Sequence, residues 1–108
     1  MHNKYGMSDK KVLITGASGG IGNSLCEKFI ASNCNLICTS SNIDRLKKLK
    51  DKYGSGHNYY LLNFSDTVFL SESIKQIANE HKDIDILINN AGVTNDNLFL
   101  PSFWITPN

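Results

Sequence analysis

The stretch Lys11-Val12-Leu13-Ile14-Thr15-Gly16-Ala17-Ser18-Gly19-Gly20-Ile21-Gly22 restricts the possible folds more than any other part of the chain. After Lys11 it runs through apolar and β-branched residues, Val12 to Thr15, and stops at Gly16, which predicts a buried strand running into a tight turn. From Ile21 the apolar positions Ile21, Leu25, Cys26, Phe29 and Ile30 recur at helical spacing until Ser32-Asn33. The glycine-rich segment therefore joins a strand to a helix, where an α/β dinucleotide fold holds its phosphates. In that setting Gly16 permits the sharp exit from the strand, Gly20 lets the backbone approach a pyrophosphate, and Gly22 lets the helix pack closely. The unpaired amides that open the helix would face the anion. Ser18, Gly19 and Ile21 complete the set of candidate contacts in this turn.

The same unit repeats along the chain. Leu36-Ile37-Cys38-Thr39 predicts a second strand, and Ser41 or Asn42 caps a second helix with Ile43, Leu46, Leu49 and Tyr53 inward, ended by Gly54 and Gly56. Tyr59-Tyr60-Leu61-Leu62 is a third strand. Asp66 or Thr67 opens a third helix whose Leu70, Ile74, Ile77, Ala78 and His81 share a face, and a fourth strand over 84–88 runs into Asn89-Asn90-Ala91-Gly92. Four strands alternating with three helices through short connections predict an α/β, Rossmann-type parallel sheet with flanking helices and strand order 3-2-1-4. Residues 1–9 are polar and aperiodic and are expected to be a disordered leader, with Met7 an alternative start; 10–100 form the dinucleotide-binding Rossmann half, and 101–108 form a separate tail.

A chain of 108 residues supports one domain, and its 41% hydrophobic and 19% charged content is that of a folded soluble protein. A net charge of +1 gives no reason to expect nucleic acid or an anionic membrane as partner. No apolar run is long enough to span a bilayer and the N-terminus lacks the apolar core of a secretory signal, so a cytoplasmic location is expected. Cys26, Cys34 and Cys38 lie in apolar segments without metal-ligand spacing and are read as buried reduced thiols, and the scattered His2, His57 and His81 are assigned no metal. Arg45, Lys47, Lys48, Lys50 and Lys52 alternate with the inward positions of the second helix and are read as a solvated face.

Taken together, Thr15-Gly16-Ala17-Ser18-Gly19-Gly20-Ile21-Gly22 and Asn89-Asn90-Ala91-Gly92 resemble the short-chain dehydrogenases/reductases. In that family the first motif has the form TGxxxGxG, met by Thr15, Gly16, Gly20 and Gly22, and NNAG follows the fourth strand. Gly16, Gly19 and Gly22 also fit the GxxGxxG spacing of the family's extended members, while NNAG favours the single-domain ones. Residues 62–66 (Leu-Asn-Phe-Ser-Asp) and the segment from Asn89 through Val93-Thr94-Asn95-Asp96-Asn97-Leu98 are similar to the bacterial 3-oxoacyl-acyl-carrier-protein reductases of fatty-acid synthesis. The resemblance implies an oxidoreductase that is a homo-oligomer at full length, with acyl carrier protein as a possible partner. It places Asn63 and Phe64 at the adenine, Asn63 through its amide oxygen, and Asn90, Ala91 and Gly92 beside the cofactor ribose.

Cofactor choice is expected to turn on the end of the second strand, where an acidic side chain would hold the ribose hydroxyls of NAD(H). Thr39-Ser40-Ser41 offers hydroxyls and no carboxylate, which favours NADP(H) over NAD(H). The arginine that NADP enzymes of the family often carry at the positions of Gly19 or Ser41 is absent.

Carbonyl reduction in this family uses a Ser with a Tyr-x-x-x-Lys pair as proton donor. Tyr5, Tyr53, Tyr59 and Tyr60 have no Lys four residues later, so no catalytic residue is assigned and these 108 residues alone are expected to be inactive. The alternatives are a non-catalytic dinucleotide-binding fragment and a non-functional remnant. Pro101-Ser102-Phe103-Trp104-Ile105-Thr106-Pro107-Asn108 departs from the family's helical continuation and is expected to reflect a frameshift or early stop. The fourth strand is then expected to be an exposed apolar edge that promotes self-association.

Overall fold

The computed structural model describes residues 8–90 and the backbone of 103–105. Alternation along β1 (Lys11–Thr15) sends Val12 and Ile14 to one side of a sheet and Leu13 and Thr15 to the other. Around it lie β2 (Asn35–Ser40), β3 (Asn58–Leu61), β4 (Ile86–Asn89) and β5 (Phe103–Ile105), in the spatial order β3-β2-β1-β4-β5. β1 pairs in parallel with both β2 and β4, placing Ile14 beside Cys38 and Ile88, and β2 pairs in parallel with β3. The 3-2-1-4 order expected from the sequence is thus present, with each predicted strand boundary within two residues of the observed one.

The order dictates where the helices go. α1 (Gly20–Ala31) and α2 (Ile43–Tyr53) accompany the chain as it steps from β1 outward to β3, and both cover one face. There Cys26, Leu46 and Leu49 pack on Val12, Ile14, Leu36, Cys38, Ile86 and Ile88 in the larger of two apolar clusters. α3 (Thr67–Glu80) carries the chain back across the sheet to β4 and packs Ile77 on Ile37 and Leu62 on the opposite face. One helix does not cover that face. An apolar cavity of about 260 Å³ remains among Leu13, Leu62, Phe64, Ile77 and Leu87, and Ile74 at its rim is 51% exposed instead of buried. Ile43 and Ile21 also depart from the inward faces assigned to them. Each lies in the first turn of its helix and is exposed, and burial in α2 begins one turn later at Leu46.

The expected exposed edge at the fourth strand is absent. β5 lies antiparallel along β4 with Ile86, Leu87 and Ile88 opposite Ile105, Trp104 and Phe103. Pro101 and Pro107 lie outside this short strand, where neither removes a ladder hydrogen bond, so residues 103–105 can supply the edge partner. At the N-terminal end of the described residues the Asp9 amide donates to the Asn33 carbonyl at 3.0 Å. Among the described residues no helix is long and apolar enough to cross a membrane.

Candidate functional site

β1 sends the chain to α1 on one face of the sheet and β4 receives it from α3 on the other, and in an open α/β sheet such a switch between neighbouring strands leaves a crevice at their carboxyl ends. The glycine turn occupies that end of β1. Gly16 has φ of 65°, a left-handed conformation that disfavours a side chain. A Cβ at Gly22 would lie 2.3 Å from the Gly16 carbonyl oxygen and 2.8 Å from the Ala17 Cα, so close packing of α1 on the turn demands glycine there. Gly20 is different: a Cβ would meet nothing within 4 Å, and the space in front of the turn is open.

The turn is held from three sides. The Ala17 amide donates to the Thr39 carbonyl at 2.9 Å, Asn90 Nδ2 donates to the Gly16 carbonyl at 3.0 Å, and the hydroxyls of Ser18 and Ser40 lie 3.0 Å apart. Thr15 Oγ1 donates to Asn89 Oδ1 at 2.9 Å, which ties the ends of β1 and β4 together. Asn89 is buried, and among the described residues neither its Nδ2 nor the buried Thr39 hydroxyl has a hydrogen-bond partner.

α1 opens without a side-chain cap, whereas Asn42 Oδ1 accepts from the Arg45 amide to start α2 and Asp66 Oδ1 accepts from the Phe69 amide to start α3. With Gly19 at the N-cap, the first-turn amides of α1 donate to no capping side chain and remain available to an anion. A contact that the sequence reading missed braces this region. Asn23 Nδ2 donates to the carbonyls of Ser18 and Gly19 at 3.2 and 3.3 Å, and Tyr53 at the end of α2 donates its hydroxyl to Asn23 Oδ1 at 2.8 Å. Asn23 faces the turn from one residue past the motif, and the apolar periodicity that marked Tyr53 as inward said nothing about its hydroxyl.

Beside the turn is a cavity of about 270 Å³ lined by Gly16, Ser18, Thr39, Ser41, Asn63 and Phe64. Residues selected from the turn, from the end of β2 and from the segment after β3 therefore surround a single space. Their availability differs. Thr39 and Ser40 are buried, and Ser40 Oγ already serves Ser18 and the Asn42 amide, so Ser41 is the exposed hydroxyl of the three. Asn63 Oδ1 accepts from the amide and hydroxyl of Ser65 at 3.0 and 2.6 Å, so the oxygen expected to meet adenine is already engaged by the turn that leads to α3. Ile21 is 66% exposed and can contribute its backbone without obstructing the turn. Ala91 and Gly92 lie outside the described residues.

The remaining titratable groups near the sheet serve packing. Cys26, Cys34 and Cys38 are buried and form no disulfide; burial raises the Cys34 thiol above its ordinary range, and the hydrogen bond with Cys26, together with burial, raises that of Cys38. His57 Nδ1 accepts from the Leu36 amide at 3.0 Å, and burial lowers its pKa. Among the described residues no cluster of His, Cys, Asp or Glu could hold a metal.

Residues 10–101 match the family model described as short chain dehydrogenase. The chain is 35% identical over 91 residues to 3-oxoacyl-acyl-carrier-protein reductase FabG of Salmonella typhimurium, covering 84% of this chain and 37% of that protein. It is 39% identical over 88 residues to the reductase of the same name from Buchnera aphidicola of Acyrthosiphon pisum, covering 81% and 36%. The chain thus spans little more than a third of the length of these relatives. Among solved structures, a short-chain dehydrogenase from Streptomyces avermitilis aligns with a TM-score of 0.65 at 25% identity, over 75% of this chain and 30% of that one. The 3-ketoacyl-acyl-carrier-protein reductase of Brucella melitensis, complexed with NADH, has the same fold with a TM-score of 0.65 at 17% identity, over 76% and 34%.

Proposed function

This chain belongs to the short-chain dehydrogenase family, and from that premise we propose that it is the nucleotide-binding portion of an NADP(H)-dependent 3-oxoacyl-acyl-carrier-protein reductase. The observation that carries the reading is the cavity at the carboxyl ends of the strands, lined by the glycine turn that leads into the uncapped N-terminus of α1. Its residues fit a dinucleotide. Open space at Gly20 leaves room for a pyrophosphate, Gly19 and the first turn of α1 offer amides to it, and Ser18 and Ser41 lie where a ribose would follow. The adenine is assigned to Phe64 and Asn63, whose amide nitrogen would meet the ring because its oxygen is taken by Ser65. Asn90, which reaches the turn through Gly16, is assigned with Ala91 and Gly92 to the nicotinamide-side ribose.

When bound, the cofactor supplies or accepts hydride; the residues of this chain bind and orient it. NADP(H) is favoured because no carboxylate follows Thr39, where one would repel a 2′-phosphate. The substrate class, an acyl carrier protein partner and a homo-oligomeric full-length enzyme follow from likeness to the FabG reductases. A second reading, dinucleotide binding without chemistry, is favoured for these 108 residues by themselves, since they contain no Tyr-x-x-x-Lys pair.

Replacing Gly20 tests the assignment. A leucine there projects into open space and leaves the fold intact, but obstructs the approach of a pyrophosphate. Titration of Gly20→Leu with NADPH is expected to show no saturable binding while circular dichroism matches the unsubstituted chain. Unchanged affinity would move the nucleotide away from the turn.

A further inference from the structure

The basic residues of α2 read from sequence as one solvated face, but the fold separates them. Arg45, Lys48 and Lys52 recur at intervals of three and four and, with Ser18, Asn23 and Leu49, line a second cavity of about 200 Å³ between the glycine turn and α2. No carboxylate lines it. Lys52 is committed to Glu27 at 2.9 Å, and the Asn23 amide is turned toward the carbonyls of Ser18 and Gly19. Arg45 and Lys48 form no ion pair among the described residues, so they are the uncommitted cations facing this space.

Ser18 belongs to both cavities. A ribose held beside Ser18 and Ser41 in the larger one therefore has a basic, carboxylate-free recess within reach of its substituents. We propose that this recess is a phosphomonoester subsite in which Arg45 and Lys48 receive the 2′-phosphate of NADP(H) and so set the cofactor preference. The inference rests on the dinucleotide reading above. A phosphomonoester at neutral pH is close to doubly charged and presents three acceptor oxygens, which suits a guanidinium fork and an ammonium side by side. The free 2′-hydroxyl of NAD(H) offers neither charge nor acceptors of that strength. The cations come from the helix after β2, and this accounts for NADP(H) selection with glycine at position 19 and serine at position 41.

Both side chains are exposed, so their truncation spares the core. The test is a titration of the chain and of Arg45→Ala/Lys48→Ala with NADPH and with NADH, followed by nicotinamide fluorescence. The unsubstituted chain is expected to prefer NADPH by roughly tenfold or more, the scale of one or two hydrogen bonds to a charged group. The double variant is expected to bind both nucleotides alike at the original NADH affinity. Adenosine 2′,5′-bisphosphate should compete with NADPH on the unsubstituted chain far better than 5′-AMP does, and lose that advantage on the variant. Equal binding of NADPH and NADH by the unsubstituted chain, a variant that keeps the preference, or one that weakens both nucleotides equally overturns the subsite and leaves dinucleotide binding standing. Binding of neither nucleotide by the unsubstituted chain overturns both.

Discussion

Gly22 and Gly20 lie two residues apart in one motif and are glycine for different reasons. At Gly22 an added methyl would press on the Gly16 carbonyl and the Ala17 backbone, neither of which is a flexible side chain that can swing away. Gly22→Ala is therefore expected to destabilise the fold by about 1–3 kcal/mol, the usual range for overpacking, while Gly20→Ala leaves the denaturation midpoint unchanged. Equal midpoints for the two variants would contradict this division. His57 gives a pH dependence with a definite sign. Its pKa is lowered by burial and its Nδ1 must be unprotonated to accept from the Leu36 amide, so its contribution is present above the ordinary histidine value of 6.5 and is lost as pH falls through the folded-state value. Urea midpoints measured downward from pH 7 are expected to fall, and to fall less in His57→Gln; identical profiles would show that the bond carries no linkage. The buried cysteines should resist a thiol reagent until denaturant is added.

Among the elements, the parallel core was the part most fully legible in the sequence. Its inner strands are continuous apolar runs because helices pack on both faces, and β1 was read at its observed bounds. Helix starts were legible as alternatives: Asn42 caps α2 and Asp66 caps α3, while Ser41 and Thr67 do not. What stayed illegible is nonlocal. β5 was missed because a strand of three residues between prolines carries no period of its own and exists through its pairing with β4. The basic recess was missed because helical spacing marks which residues share a face, not that the glycine turn stands opposite. If β5 protects the edge of β4, removing residues 101–108 should increase self-association in sedimentation relative to the full chain. An unchanged distribution would mean that β4 does not depend on that cover. The hydrogen bond from Tyr53 to Asn23 offers a second test between elements, since Tyr53→Phe should weaken NADPH binding by loosening the turn while leaving α2 helical.

For the molecule as a whole, the glycine turn, the end of β2 and the segment after β3 meet around one cavity, and this convergence carries the functional reading. The chain spans 37% of the length of the Salmonella reductase, and the Tyr-x-x-x-Lys pair that the family uses for proton transfer is absent from its sequence. Purified 1–108 is therefore expected to bind nucleotide without reducing a 3-oxoacyl thioester, and measurable NADPH oxidation with that substrate would refute the division between binding and chemistry. The central claim is that these residues form a working dinucleotide site, and the most direct measurement is thermal unfolding of the chain with and without NADPH. Binding to the folded state predicts a melting temperature that rises with ligand concentration, equivalent to about 2.7 kcal/mol at a hundredfold excess over Kd. A melting temperature indifferent to NADPH and NADH at millimolar concentration would contradict it.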